Sequence, residues 1–201
     1  MTSVSHVNKN DRCDFISLVP CNCIMGGTCS GASLKNLPKK ILIVGNSGAG
    51  KTHLLYSWLL GRNDLETVPT DSFNVERIVS DTCVYMMWDL CGCKDFRLKR
   101  RQFFHGTDGV VYVIDPTSDS VDAIDDLTLV SSDRDLHHLP CLVLISRRND
   151  VKTDWLVRVK DALRSHSGAT HVMDVDIVDQ KSINDALRQL DRMFAPTNGH
   201  Q

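Results

Sequence analysis

No excess of either charge marks this chain. Its 201 residues carry 23 Lys and Arg against 25 Asp and Glu, a formal net charge of −2, so bulk electrostatics leave no footprint for nucleic acid. Long hydrophobic runs are missing too. The most apolar stretches, such as GVVYVID at 109–115, fall far short of the roughly 20 residues that span a bilayer as a helix. The opening residues MTSVSHVNKNDRCDF lack the apolar core and small-residue cleavage site of a secretory signal. There is no internal repeat and no low-complexity tract. A cytosolic chain is the expectation from these absences. With 42% hydrophobic residues, it has enough apolar surface for one ordinary core and a single domain.

Cysteine is what the chain has in excess. Cys13, Cys21, Cys23 and Cys29 lie near the N-terminus, and Cys83, Cys91, Cys93 and Cys141 are spread through the body. In a cytosolic protein these are reduced thiols. Structural zinc is the alternative, but N-terminal gaps of eight, two and six residues lack paired C-x-x-C spacing and have no histidine pair nearby. Free thiols, some of them candidates for lipidation, are the simpler reading. The histidines, His137–His138 included, carry no ligand spacing.

Residues 1–38 contain Ser, Asn, Gly and Cys without a period and end in Pro38, which reads as a flexible Cys-rich extension. A domain over 39–195 follows, with a short tail at 196–201. KKILIVG (39–45) is a short apolar run ending in glycine, a buried strand by length and β-branching. NVERIVS (74–80), DTCVYMMWDL (81–90), GVVYVID (109–115), PCLVLIS (140–146) and THVMDVDIV (170–178) are further strands. The near-continuous apolar ones suit parallel strands covered on both faces. Trp155, Leu156, Val159, Ala162 and Leu163 keep one face of a helix; Ile183, Ala186, Leu187, Leu190, Met193 and Phe194 keep one face of another. The expected fold is α/β: a mostly parallel six-stranded sheet with helices on both faces.

GNSGAGKT, from Gly45 through Asn46, Ser47, Gly48, Ala49, Gly50 and Lys51 to Thr52, matches G-x-x-x-x-G-K-[ST] between a predicted strand and a predicted helix. Glycines let the backbone wrap a β-phosphate, so that successive N–H groups and a helix N-terminus face it. Lys51 then neutralises the β- and γ-phosphates, and the Thr52 hydroxyl ligates Mg²⁺. A P-loop NTPase fold follows from this loop in this setting.

Two further stretches, VPTDSFNVE (68–76) and WDLCGCKDF (88–96), resemble the switch regions of the Arf and Arf-like small GTPases. The second usually reads WDxGGQ. The likeness continues through RRQFFHGTDGVVYVIDPTS (100–118) and covers about residues 40–194. It implies a Ras-like fold with GTP/GDP and Mg²⁺ as cofactors. It makes Thr70 the switch I threonine that closes onto Mg²⁺, and Asp89 to Gly92 the D-x-x-G of switch II. There Asp89 holds the Mg²⁺ shell and the Gly92 N–H senses the γ-phosphate, a donor position where glycine permits closest approach. Loss of that phosphate frees both loops, a change that protein effectors and regulators read.

Departures from the pattern qualify this expectation. The family's switch II glutamine is Cys93, and a thiol is a poor hydrogen-bond partner for an attacking water. Slow intrinsic GTP hydrolysis is therefore expected, with no secure catalytic residue; no paired base marks Cys93 as a nucleophile. The guanine-reading N-K-x-D is RRND, Arg147 to Asp150. Asp150 is kept for the base N–H groups, and Arg148 can stack on the base as lysine's stem does. Arg147 replaces the asparagine that ties this loop to the phosphate loop. The loop after the sixth strand, expected near Asp176–Lys181, matches the family poorly, and Ser47 stands where an acidic residue is common. KDFRLKRR (94–101) places five basic residues around switch II, read as solvated helix surface, and Trp88 is read as packing beside the switch.

MGGTCS, at 25–30, fits the myristoylation pattern but is internal. Counted from Met25, Gly45 is residue 21, the spacing that the Arf-like resemblance implies for an acylated N-terminus. Synthesis from Met25 would let Gly26 take myristate and Cys29 palmitate, the two signals that stable anchoring needs. The leading expectation is a GTP-binding Arf-like switch that recruits effectors in vesicle or membrane trafficking, cytoplasmic and peripherally membrane-bound if lipidated. A pseudo-GTPase scaffold is the alternative, favoured by Cys93 and Arg147 and opposed by Lys51, Thr52, Thr70 and Asp89. A P-loop kinase would have no reason to carry the switch-like stretches.

Overall fold

The computed structural model describes residues 37–117, 120–146 and 155–195. Among the described residues, six strands make one sheet: β1 (Lys39–Val44), β2 (Phe73–Val79), β3 (Val84–Leu90), β4 (Gly109–Ile114), β5 (Cys141–Ser146) and β6 (Thr170–Val175). Their order is β2-β3-β1-β4-β5-β6. β2 runs antiparallel to β3, and every other neighbouring pair is parallel. The predicted fold class is the observed one.

Alternation along β1 divides the core. Leu42 and Val44 join a cluster with Phe96, Leu127 and Val159 on one face. Ile41 and Ile43 join another with Leu54, Trp58, Ile183 and Leu190. Helices α2 (Lys94–Arg97), α3 (Ser120–Ser132) and α4 (Trp155–Ala162) cover the first face, and α1 (Lys51–Leu60) and α5 (Gln180–Phe194) the second. A 3₁₀ turn at Arg100–Phe103 continues from α2. Strands β1, β4 and β5 are buried on both faces over most of their length, which is why they read as unbroken apolar runs.

Two sequence expectations need correction. THVMDVDIV reads as strand to 178, but β6 ends at Val175. The Asp176 N–H turns to the Ser182 hydroxyl (2.9 Å), and the Asp179 carboxylate caps α5 by accepting from the Lys181 and Ser182 N–H groups. A local carboxylate thus outcompetes the ladder, as Asp does at helix starts. In α4, Trp155, Val159 and Ala162 are buried as expected, as is Leu163 just beyond it, whereas Leu156 is exposed.

Strand order positions the site. β1 lies between β3 and β4, so the chain leaves β1 for one side of the sheet and later returns to β4 on the other. Ligands of open α/β sheets bind at such a reversal, outside the carboxyl ends of the strands.

Candidate nucleotide-binding site

The loop from Gly45 to Gly50 joins β1 to α1 at that reversal. Gly45 has φ +139°, and a Cβ there would sit 2.1 Å from the Val113 carbonyl oxygen, so only glycine lets β1 turn this close to β4. Gly50 caps α1 in the left-handed region (φ 93°), without a side-chain cap and with no acidic residue in the first turn. The helix's partial positive charge is therefore left for a ligand. Ser47, Gly48, Gly50, Lys51 and Thr52 line an open cleft of about 210 Å³, faced across by Thr67–Thr70 and Gly92. Gly45, Asn46 and Ala49 are not on its wall. Gly45 shapes the turn, Ala49 is buried in the core, and the Asn46 side chain points to Arg97 and Asp122.

Lys51 is only 6% exposed. Its Nζ donates to the Asn46 carbonyl (2.8 Å), and burial lowers its pKa, with nearby Asp89 opposing the shift. A buried ammonium with one neutral acceptor is poised for an anion. Next to it three oxygens converge. Thr52 Oγ1 donates to Asp89 Oδ2 at 2.7 Å, Thr70 Oγ1 donates to the same oxygen at 3.1 Å, and the two hydroxyls are 2.9 Å apart. Asn74 Nδ2 donates to both Thr70 Oγ1 and Asp89 Oδ2. Asp89 is fully buried, and its Oδ1 has no hydrogen-bond partner among the described residues. Hydroxyls whose protons point at a carboxylate keep lone pairs for a hard cation, and an orphaned carboxylate oxygen suits a magnesium water. The set fits Mg²⁺, which takes few protein ligands and fills its shell with water and phosphate oxygens. Among the described residues no group of three His, Cys, Asp or Glu side chains competes for a softer metal.

Switch II lies directly on the phosphate loop. The Gly92 carbonyl accepts the Ser47 N–H at 3.2 Å, and a Cβ at Gly92 would come within 2.4 Å of Asn46 and Ser47 backbone atoms. Cys93 follows as the exposed N-cap of α2. Its Sγ lies 2.8 Å from the Cys91 thiol; its partner is thus a second thiol rather than a base.

The basic run 94–101 is not simply solvated surface, which corrects the sequence expectation. Arg97 forks onto Asp122 (2.8 and 2.7 Å) and reaches Asn46 Oδ1 (2.8 Å). Arg100 forks onto Asp126 (2.9 and 2.7 Å), which also accepts the Tyr112 hydroxyl (2.9 Å). Burial, reinforced by the Asp126 charge, pushes the Tyr112 hydroxyl far above its ordinary range. Arg97 in turn holds Asp122 below the usual carboxylate range. Lys94 and Arg101 remain mostly exposed.

Other site residues escaped the sequence reading. Ile177 reaches the cleft wall from the loop after β6, its carbonyl 3.0 Å from His53 Nε2. Phe73 and Phe103 join Trp88, already read as packing beside the switch, in a ring cluster with centroids 5.0–5.9 Å apart, and Phe73 stays 43% exposed. Phe73 and Trp88 lie on paired strands and Phe103 on the 3₁₀ turn, so no single spacing in the sequence joins them. Arg147, Arg148, Asn149 and Asp150, expected to read the base, lie outside the described residues, as do Gly26 and Cys29.

Comparison with known proteins bears on family and fold. The model of the ADP-ribosylation factor family matches residues 28–194. Among solved structures, the fold is similar to that of the Arl6 BBS3 small GTPase from Trypanosoma brucei with bound nucleotide analogue GppNp. The TM-score is 0.66 at 14% identity, over 78% of this chain and 96% of that one; at that identity the likeness establishes the fold. With a family model matched across most of its length and a small-GTPase fold, this chain belongs to the ADP-ribosylation factor family.

Proposed function

We propose that the protein is a guanine-nucleotide switch that binds GTP and GDP with Mg²⁺, hydrolyses GTP slowly, and recruits protein effectors through its switch surfaces. The observation that carries the reading is the convergence of Thr52, Thr70 and Asp89 oxygens beside the buried Lys51 ammonium. Family membership supports guanine as the base. Lys51 and the uncapped α1 terminus neutralise phosphate charge. Thr52 and Thr70 supply hydroxyl ligands, and Asp89 orients both. A magnesium ion held by the Thr52 and Thr70 hydroxyls would supply positive charge that offsets the charge of the phosphates. Thr70 belongs to the loop facing the phosphate loop across the cleft, so its engagement closes switch I, while Gly92 offers its N–H from switch II. These loops flank the exposed part of the Phe73, Trp88 and Phe103 cluster, an apolar surface of the kind partners use. A role in vesicle or membrane trafficking, cytoplasmic and attached to membrane through Gly26 and Cys29 if synthesis begins at Met25, extends the family reading.

Cys93 bears on hydrolysis. With its thiol turned to Cys91, it offers no carbonyl or amide to hold a water. Single-turnover GTP cleavage should be slow, and Cys93→Gln should speed it by about a hundredfold, the scale of one positioned proton-transfer or water-holding group. An unchanged rate in Cys93→Gln would overturn this assignment. The same feature favours the second reading, a pseudo-GTPase scaffold that holds nucleotide constitutively or not at all. Nucleotide extraction with Mg²⁺-dependent exchange separates the two, because a scaffold yields an empty or non-exchanging site.

A further inference from the structure

Cys91 and Cys93 flank Gly92, whose backbone carbonyl accepts a hydrogen bond from the phosphate loop. Their sulfurs are 2.8 Å apart, and the Cys93 N–H also points at Cys91 Sγ (3.4 Å). The pair is asymmetric: Cys93 is exposed and Cys91 buried. Between them, the Gly92 carbonyl accepts from Ser47, and its α-carbon is packed against the Asn46–Ser47 peptide. The other two described cysteines lack this arrangement. Cys83 contacts the Thr82 hydroxyl and Cys141 is sealed in the core.

We infer that Cys91 and Cys93 form a peroxide-responsive dithiol whose oxidation locks switch II at Gly92. The exposed Cys93 sulfur takes one oxygen from hydrogen peroxide as the O–O bond breaks, giving a sulfenic acid and one water. The Cys91 sulfur then displaces that oxygen as a second water and forms the S–S bond. Two thiol protons and two electrons pass to the peroxide, and a thiol reductant reverses the change. Little sulfur movement is needed to go from 2.8 Å to a bond of about 2.05 Å. Closing a ring over a single residue removes most of the freedom of the Gly92 peptide. In the nucleotide reading, to which this addition is tied, Gly92 distinguishes GTP from GDP; a fixed peptide distinguishes them less well.

The test treats the reduced full-length chain with hydrogen peroxide, traps remaining thiols with a maleimide, and maps the tryptic peptide 78–94, which contains Cys83, Cys91 and Cys93. The expected peptide loses two hydrogens and takes up one maleimide, at Cys83. Amide exchange across residues 92–97 should slow about tenfold, return with dithiothreitol, and not respond to peroxide in Cys93→Ser. The GTP-over-GDP affinity ratio should fall about tenfold on oxidation. Sulfinic acid at Cys93, a link from Cys93 to an N-terminal cysteine, or a 91–93 bond without slowed exchange would overturn the switch. Reduced protein that binds no guanine nucleotide would remove the nucleotide reading alone, with bond and exchange still deciding the dithiol.

Discussion

Gly92→Ala is expected to uncouple switch II from the phosphate loop and sharply reduce nucleotide-dependent stabilisation. The added methyl would lie 2.4 Å from Asn46 C and Ser47 N and 2.5 Å from Gly45 O, and all three are backbone atoms with no rotamer to yield. The phosphate loop cannot retreat easily, because Gly45 is itself wedged against the Val113 carbonyl. Overpacking of this kind costs about 1–3 kcal/mol, and separation would break the Ser47 N–H bond to Gly92. Displaced loop amides also lose charge-assisted bonds to phosphate, each about 1.5–3 kcal/mol, which is roughly one to two orders of magnitude in affinity. Thermal unfolding with and without GDP and Mg²⁺ reads both effects. Gly61→Ala is the control. That glycine also has positive φ (+65°) but nothing within 4 Å of its added methyl, so it should cost about 1–2 kcal/mol and keep the nucleotide response. A normal response in Gly92→Ala would show that this contact does not hold the site.

The largest loss of stability is expected from Asp126→Ala. Asp126 on α3 is sealed from solvent and accepts from both Arg100 nitrogens and the Tyr112 hydroxyl, with Arg97 Nε 3.6 Å away. Removing the carboxylate strands the buried Arg100 guanidinium, at a cost of about 3–5 kcal/mol. For a domain of this size that lowers Tm by roughly 10 °C. Arg100→Met in the same background should restore much of the loss, because an apolar pair carries no stranded charge. Two separable losses, with no rescue in the double variant, would show that the pair is not coupled.

These two sites also show where sequence reading succeeds and stops. The phosphate loop was legible because its glycines, lysine and threonine act at fixed local spacing, and the central strands because burial on both faces leaves an unbroken apolar signature. Helix α3 was not named: SVDAIDDLTLVSS mixes Ser, Asp and Thr with apolar residues, a composition that competes for turns. The basic run was misread for a related reason. Nothing near Arg97 and Arg100 in sequence reveals acceptors 25 and 26 residues downstream on α3. C-G-C likewise shows a spacing but not the contact between its sulfurs. Thr67, Val68 and Pro69 reach the cleft only through the path of the loop before β2.

The central claim, a site built for guanine nucleotide and magnesium, is tested most directly by purifying the full-length chain and identifying what denaturation releases. The account predicts GDP or GTP at about one per chain, lost on magnesium chelation and exchanged for added guanine nucleotide, and none in Lys51→Met, whose buried ammonium is gone. An empty site that takes up no guanine nucleotide, or one that holds an adenine nucleotide instead, would contradict it.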